Sequence, residues 1–159
     1  MDATIRNYKD YPLAVKNSRK KQLSLFYNAN FPLSQWSQNY FSAFLDDENE
    51  RRMLCLVLEK NSKILGFILG RAVGNINNRY NITTLLIDED QRGKKYGQFL
   101  LNKFLKTLRK DKSVKKAYLH FRDSNNLESF YNHCGFRKHR IAGYYSNGER
   151  KHYMEINAH

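Results

Sequence analysis

Residues Arg92, Gly93, Lys94, Lys95, Tyr96 and Gly97 crowd cations and glycines into one short segment. The segment lies between an apolar run that ends at Ile87 and a stretch whose Leu100, Leu101, Phe104, Leu105 and Leu108 share one helical face. A helix that starts here presents unpaired backbone N–H groups and partial positive charge. Pyrophosphate suits such a site. Gly93 and Gly97 let the backbone come close to a ligand, and Arg92, Lys94 and Lys95 add charge. Two nucleotide motifs fail on spacing. The P-loop needs Ser or Thr after Gly-Lys, and here Gly93-Lys94 is followed by Lys95; no Gly-x-Gly-x-x-Gly occurs. Taken alone, the segment also reads as an ordinary basic helix start.

The surrounding elements must position it. Leu13, Leu23, Leu25 and Phe26 suggest a helix over 13–28, and Trp36, Tyr40, Phe41 and Phe44 recur at helical spacing after a turn at Pro32. The runs 53–59 and 63–73 read as a strand hairpin, and 80–87 as a third strand rich in β-branched residues. After the helix carrying Leu100 to Leu108 comes a strand at 115–121. Leu127, Phe130, Tyr131 and Cys134 then form a helical stripe with Gly135 as its stop. A hairpin turning at Asn147-Gly148 closes the chain. With 159 residues, no repeat and no composition break, one domain over 1–159 is expected.

Composition narrows the classes. Hydrophobic residues make up 41% of the chain, enough for a core. No apolar run reaches the length of a membrane span, and the first residues carry no export signal. Cys55 and Cys134 are far apart and form no metal-type pair, so free thiols in a reducing cytoplasm are expected. No metal site is expected. The net charge of +13 favours anionic partners. From Lys103 to Lys116 there are seven Lys or Arg and one acid, which reads as a solvated face or as a surface for nucleic acid or another polyanion.

The stretch "LLIDEDQRGKKYGQFLL" resembles the acyl-CoA-binding motif of the GNAT superfamily of N-acetyltransferases, with Arg92 and Gly97 at its ends and Lys95 in place of the middle glycine. "SFYNHCGF" resembles the family's second cofactor segment through Tyr131, Gly135 and Phe136. A closer resemblance is to the bacterial ribosomal-protein N-terminal alanine acetyltransferases, carried by "FPLSQWS", "LHFRDSN" and "GYYSNGER". The resemblance implies an α/β (α+β) GNAT fold: a twisted, mixed, mostly antiparallel sheet of six to seven strands flanked by about four helices. It implies acetyl-CoA as acetyl donor and a primary amine as acceptor, a protein N-terminus first. Leu85, Leu86, Ile87, Arg92, Gly93, Lys94, Lys95, Tyr96, Gly97, Gln98, Asn125 and Asn126 would bind the cofactor. Tyr131 would be the general acid, since a phenol keeps its proton near neutrality. His120 would be the base where the family has glutamate, and histidine is suited to accept a proton near pH 7. That alignment needs one residue deleted between Asn125 and Leu127; without the gap Leu119 takes the position. Glu59 and a water relay are further base candidates. Phe31, Trp36, Tyr144 and Tyr145 would line the acceptor slot.

Periodicity alone leaves Tyr131 open as a core tyrosine and His120 as a structural histidine. Polyamines or other small amines are alternative acceptors, which Asp46, Asp47, Glu48 and Glu50 could attract. A nucleic-acid binder using the face at 103–116, and a non-catalytic acyl-CoA binder, are readings of other classes. The basic face also suits an enzyme that works at the ribosome.

Overall fold

The computed structural model describes residues 2–31, 38–46, 53–74 and 78–159. The strands are β1 (Thr4–Asn7), β2 (Met53–Lys60), β3 (Lys63–Val73), β4 (Arg79–Ile87), β5 (Lys116–Arg122), β6 (Arg137–Tyr144) and β7 (Arg150–Asn157). The helices are α1 (Leu13–Asn30), α2 (Gln38–Leu45), α3 (Tyr96–Leu108) and α4 (Glu128–His133). The strands form one sheet of order β1-β2-β3-β4-β5-β7-β6. β4 and β5 run parallel, while β1–β2, β5–β7 and β6–β7 are antiparallel. This is the expected mixed sheet with four helices. Among the described residues no helix is long and apolar enough to cross a membrane.

Two compact units make up the chain: Met1–Leu69 with Thr84–Leu100, and Gly70–Thr83 with Leu101–His159. In the first, Leu23 and Tyr27 stand one helical turn apart on α1 and enter a core with Phe41, Leu45, Cys55, Val57, Phe67 and Leu86. Phe41 meets Phe67 edge-on, with centroids 6.0 Å apart. Not every expected apolar position is inside. Leu13 and Leu25 are 85% and 60% exposed, because the face set by Leu23 and Tyr27 turns them outward. Asn61 and Ser62 both have positive φ, which suits the tight turn between β2 and β3. Trp36, Asp47, Glu48 and Glu50 lie outside the described residues.

In the second unit β5 alternates strictly. Ala117, Leu119 and Phe121 are buried, and Lys116, Tyr118, His120 and Arg122 are half-buried on the opposite face. On the buried side Phe121 packs on Tyr131 and Tyr131 on Phe136, with centroids 5.6 Å apart in each pair. Gly135 ends α4 with φ +96°, which lets Phe136 N–H donate back to the Tyr131 carbonyl at 2.9 Å. Two elements are longer or newer than the sequence suggests. β1 is a four-residue strand against Leu56–Glu59, and β6 begins at Arg137, well before the closing turn.

Candidate active site

The glycine segment lies wholly in the first unit. β4 ends at Ile87, and Asp88 N–H donates to the Leu65 carbonyl at 2.9 Å. A 3-10 turn at Glu89–Gln91 follows, closed by Gln91 N–H on Asp88 O at 2.8 Å. Arg92 Nε donates to Ile87 O at 3.2 Å, and Lys94 Nζ to Gln91 Oε1 at 3.0 Å, so both cations are tied to the turn. Gly93 and Lys95 have φ of +77° and +63°. Lys95 therefore takes the left-handed backbone that glycine adopts without cost. Lys95 O accepts the Phe99 N–H at 3.0 Å and so opens α3. The N–H groups from Gly93 to Gln98 have no acceptor among the described residues. Arg92, Gly93, Lys94 and Lys95 are exposed, and Tyr96, Gly97 and Gln98 half-buried. A row of free N–H groups among three cations fits a pyrophosphate. Upstream, Leu86 is buried while Leu85 and Ile87 are half-buried.

The proton-transfer candidates lie in the second unit. The parallel β4–β5 pairing runs from Arg79↔Lys116 to Ile82↔Leu119, and β4 continues past it. His120 is the first residue of β5 beyond the last pair. Its ring lies near Tyr118 and Tyr153 and makes no hydrogen bond among the described residues. Partial burial, then the charges of Lys151, Arg140 and Arg79, lower its pKa to about 4. It is thus neutral at pH 7, and the same burial and cations make it a weaker proton acceptor than an ordinary histidine. Leu119, its rival in the ungapped alignment, is a core residue with no group to titrate.

Tyr131 is buried, and burial raises its pKa, so it holds its proton. The hydroxyl makes no hydrogen bond among the described residues. Because Tyr131 packs on Phe121, it lies on the face of β5 opposite His120. Ahead of α4, Asn125 and Asn126 sit in an exposed turn, with Asn126 left-handed at φ +46°.

The other candidates separate. Glu59 accepts a hydrogen bond from Tyr11 at 2.7 Å and pairs with Arg6 and Arg19 at 3.4 and 3.2 Å, so it is a structural anchor rather than a free base. Phe31 packs on Tyr27 at 4.8 Å within the first unit's aromatic core. Tyr144 is 71% exposed. Tyr145 is half-buried beneath the Arg122 guanidinium, 3.8 Å from its centroid. Cys55 and Cys134 are free thiols with pKa values raised by burial. Of the basic run, Arg109 donates to Ala158 O and Lys116 pairs with Glu155, while Lys103, Lys106, Lys110 and Lys112 are exposed.

Two features escape a reading of the sequence. One is a chain of acids and histidines: His139 Nδ1 lies 3.1 Å from Glu128, His139 Nε2 lies 2.6 Å from His152 Nδ1, and His152 Nε2 meets Asp123. It ties the start of α4 and the turn before it to β6 and β7. Among the described residues no three His, Cys, Asp or Glu converge as metal ligands. The other is the cationic surround of His120. Arg79 lies over Tyr118 at 4.5 Å and Arg140 over Tyr153 at 4.2 Å. The period-2 pattern around His120 signals this face, but the partner strands' register does not show in sequence.

Residues 20–136 match the model of the Acetyltransferase (GNAT) family. No curated protein sequence matches the chain. Among solved structures, a GNAT-family protein from Desulfovibrio desulfuricans superposes with TM-score 0.80 at 10% identity, covering 99% of both chains. The ribosomal-protein-S18-alanine N-acetyltransferase of Escherichia coli gives 0.71 at 19% identity, covering 98% of this chain and 94% of that one. The spermidine/spermine N-acetyltransferase of Vibrio cholerae gives 0.72 at 18% identity, covering 99% and 93%. These likenesses show a shared fold, and they extend equally to enzymes named for different acceptors. Fold, free N–H row and family match agree: this chain belongs to the GNAT family of acetyltransferases, enzymes that draw on acetyl-CoA.

Proposed function

We propose that this enzyme acetylates the α-amine of a protein N-terminus. The observation that carries the reading is the end of the β4–β5 ladder, which leaves as the first residue beyond it a neutral His120 with no hydrogen bond among the described residues. The sequence likeness of "FPLSQWS", "LHFRDSN" and "GYYSNGER" to the ribosomal-protein alanine acetyltransferases supports the choice of acceptor.

Acetyl-CoA, when bound, supplies an acetyl group activated as a thioester. The N–H groups from Gly93 to Gln98, with Arg92, Lys94 and Lys95, hold its pyrophosphate. Asn125 and Asn126 add polar contacts. The backbone of Leu85, Leu86 and Ile87 orients the acyl arm, and N–H donors there polarise the carbonyl by their position. His120 takes a proton from the acceptor amine at its unprotonated ring nitrogen. Tyr131 Oη gives one to the departing thiolate. Proton loss and gain balance over the two residues. Exposed Tyr144 and half-buried Tyr145 contact the acceptor peptide. Free thiols suit a cytoplasmic enzyme, and exposed Lys103, Lys106, Lys110 and Lys112 suit an anionic partner such as the ribosome.

The test is release of CoA from acetyl-CoA over peptides that differ in their first residue, with spermidine alongside. Turnover on at least one peptide, and a rise in melting temperature with acetyl-CoA, are expected. Turnover on spermidine alone overturns the acceptor assignment. No thermal shift with acetyl-CoA overturns the assignment of the glycine segment.

A further inference from the structure

On the face of β5 that carries His120, directly opposed residues of neighbouring strands lie side by side. The registers His120↔Tyr153 and Arg140↔Tyr153 make one row of Arg140, Tyr153 and His120 across β6, β7 and β5. Arg122↔Lys151 makes the next row. Arg79, from β4, stacks on Tyr118 and also bonds the Tyr153 hydroxyl.

The charges here are unequal. Glu155 is already shared by Lys116 at 2.9 Å, Lys138 at 3.0 Å and Arg79 at 3.8 Å. Glu149 is taken by Arg122 at 3.3 Å and by the Ser124 N–H at 3.0 Å. Arg140 and Lys151 have no carboxylate partner among the described residues. Both are held over tyrosine rings, Arg140 on Tyr153 and Lys151 5.7 Å from the Tyr145 centroid. A guanidinium lying on a ring keeps its N–H edge free for a carboxylate. The register places both on the face of the sheet that carries His120.

We infer that this face selects an acceptor whose amine is followed by carboxylates, an acidic N-terminal peptide, with Arg140 and Lys151 as the residues that determine the preference. The inference rests on the proposed role of His120 and names the substrate class of that same site. The physical case is charge complementarity. An acidic segment lowers the cost of gathering these cations, while a polyamine or a basic peptide raises it. The same cations disfavour the ammonium form of a bound acceptor, and so favour the free amine that reacts.

The experiment uses three peptides that share a first residue and carry acidic, neutral or basic residues at positions two to four. The kcat/KM ratio of acidic to basic peptide should be at least about tenfold at low salt, one charge contact's worth or more, and should shrink at high salt. Arg140→Gln with Lys151→Gln should collapse the ratio toward one, mainly through KM of the acidic peptide. Arg140→Glu should reverse it. Melting temperature with and without acetyl-CoA shows that each variant folds and binds the donor. Equal use of all three peptides, preference for the basic one, or a rise in KM for acetyl-CoA in place of KM for the peptide overturns the inference and leaves N-terminal acetylation standing. Turnover of none of the three overturns both.

Discussion

His120 and His152 stand on neighbouring strands and face opposite ways. His120 pairs in register with Tyr153, and His152 with Phe121. Their surroundings are opposites too. His120 has cations around it and no hydrogen-bond partner among the described residues. His152 is buried, stacks on Phe121 at 4.8 Å, and has both ring nitrogens engaged, one by His139 and one by Asp123. Charge sets the role. A histidine among cations stays neutral, with its ring nitrogens open to a ligand. A histidine with both ring nitrogens engaged by protein partners has neither left for a substrate, and it fastens elements together. The clasp through His139 and Glu128 reaches the helix that carries Tyr131, the proposed acid.

The contrast breaks most visibly in turnover. Tyr131→Phe and His120→Gln should each lower kcat by about 10²–10⁴-fold, the range of general acid–base catalysis, with the melting temperature nearly unchanged. Steady-state rates beside a thermal melt check this. Full activity in Tyr131→Phe would return that residue to the core stripe. His152→Ala should do the reverse. It leaves His139 with Glu128 and Asp123 with Arg150 but cuts the link between them, and should cost about 1–3 kcal/mol, read as a lower urea midpoint. Turnover at temperatures where the variant is folded should fall far less than in His120→Gln. The smallest effect sharpens the contrast through pH. With its pKa lowered to about 4, His120 should place its acid limb of kcat/KM there and not in the ordinary histidine range. His120→Gln should remove that limb. The sign for stability follows. The folded protein binds fewer protons at His120 than the unfolded chain, so stability falls as pH drops from about 6.5 toward about 4. The Gln variant should show a shallower loss over that window.

Helix α3 was legible because it combines strong periodicity with apolar residues. Leu100, Leu101, Phe104, Leu105 and Leu108 are all buried, as their spacing implies. β1 has one apolar residue in Thr4–Asn7 and gives no such signal. β6 is largely exposed, and its register shifts twice against β7, so no simple alternation marks it. Those shifts also hid the cationic row, because Arg140 reaches Tyr153 only through a bulged pairing. The acid–histidine chain draws on residues 123, 128, 139 and 152, and only the β5–β7–β6 register brings them together. Glu59 shows the converse limit. Residue type made it a candidate base, and three partners from elsewhere in the chain made it an anchor.

Lys95 carries a consequence beyond this enzyme's own turnover. At φ +63° it holds a torsion that costs a non-glycine residue about 1 kcal/mol. What the turn requires at that position is then a handedness of the chain and not one residue type. The same angle forecasts which neighbours in sequence space stay open: glycine, asparagine and aspartate fit it, and side chains branched at Cβ do not.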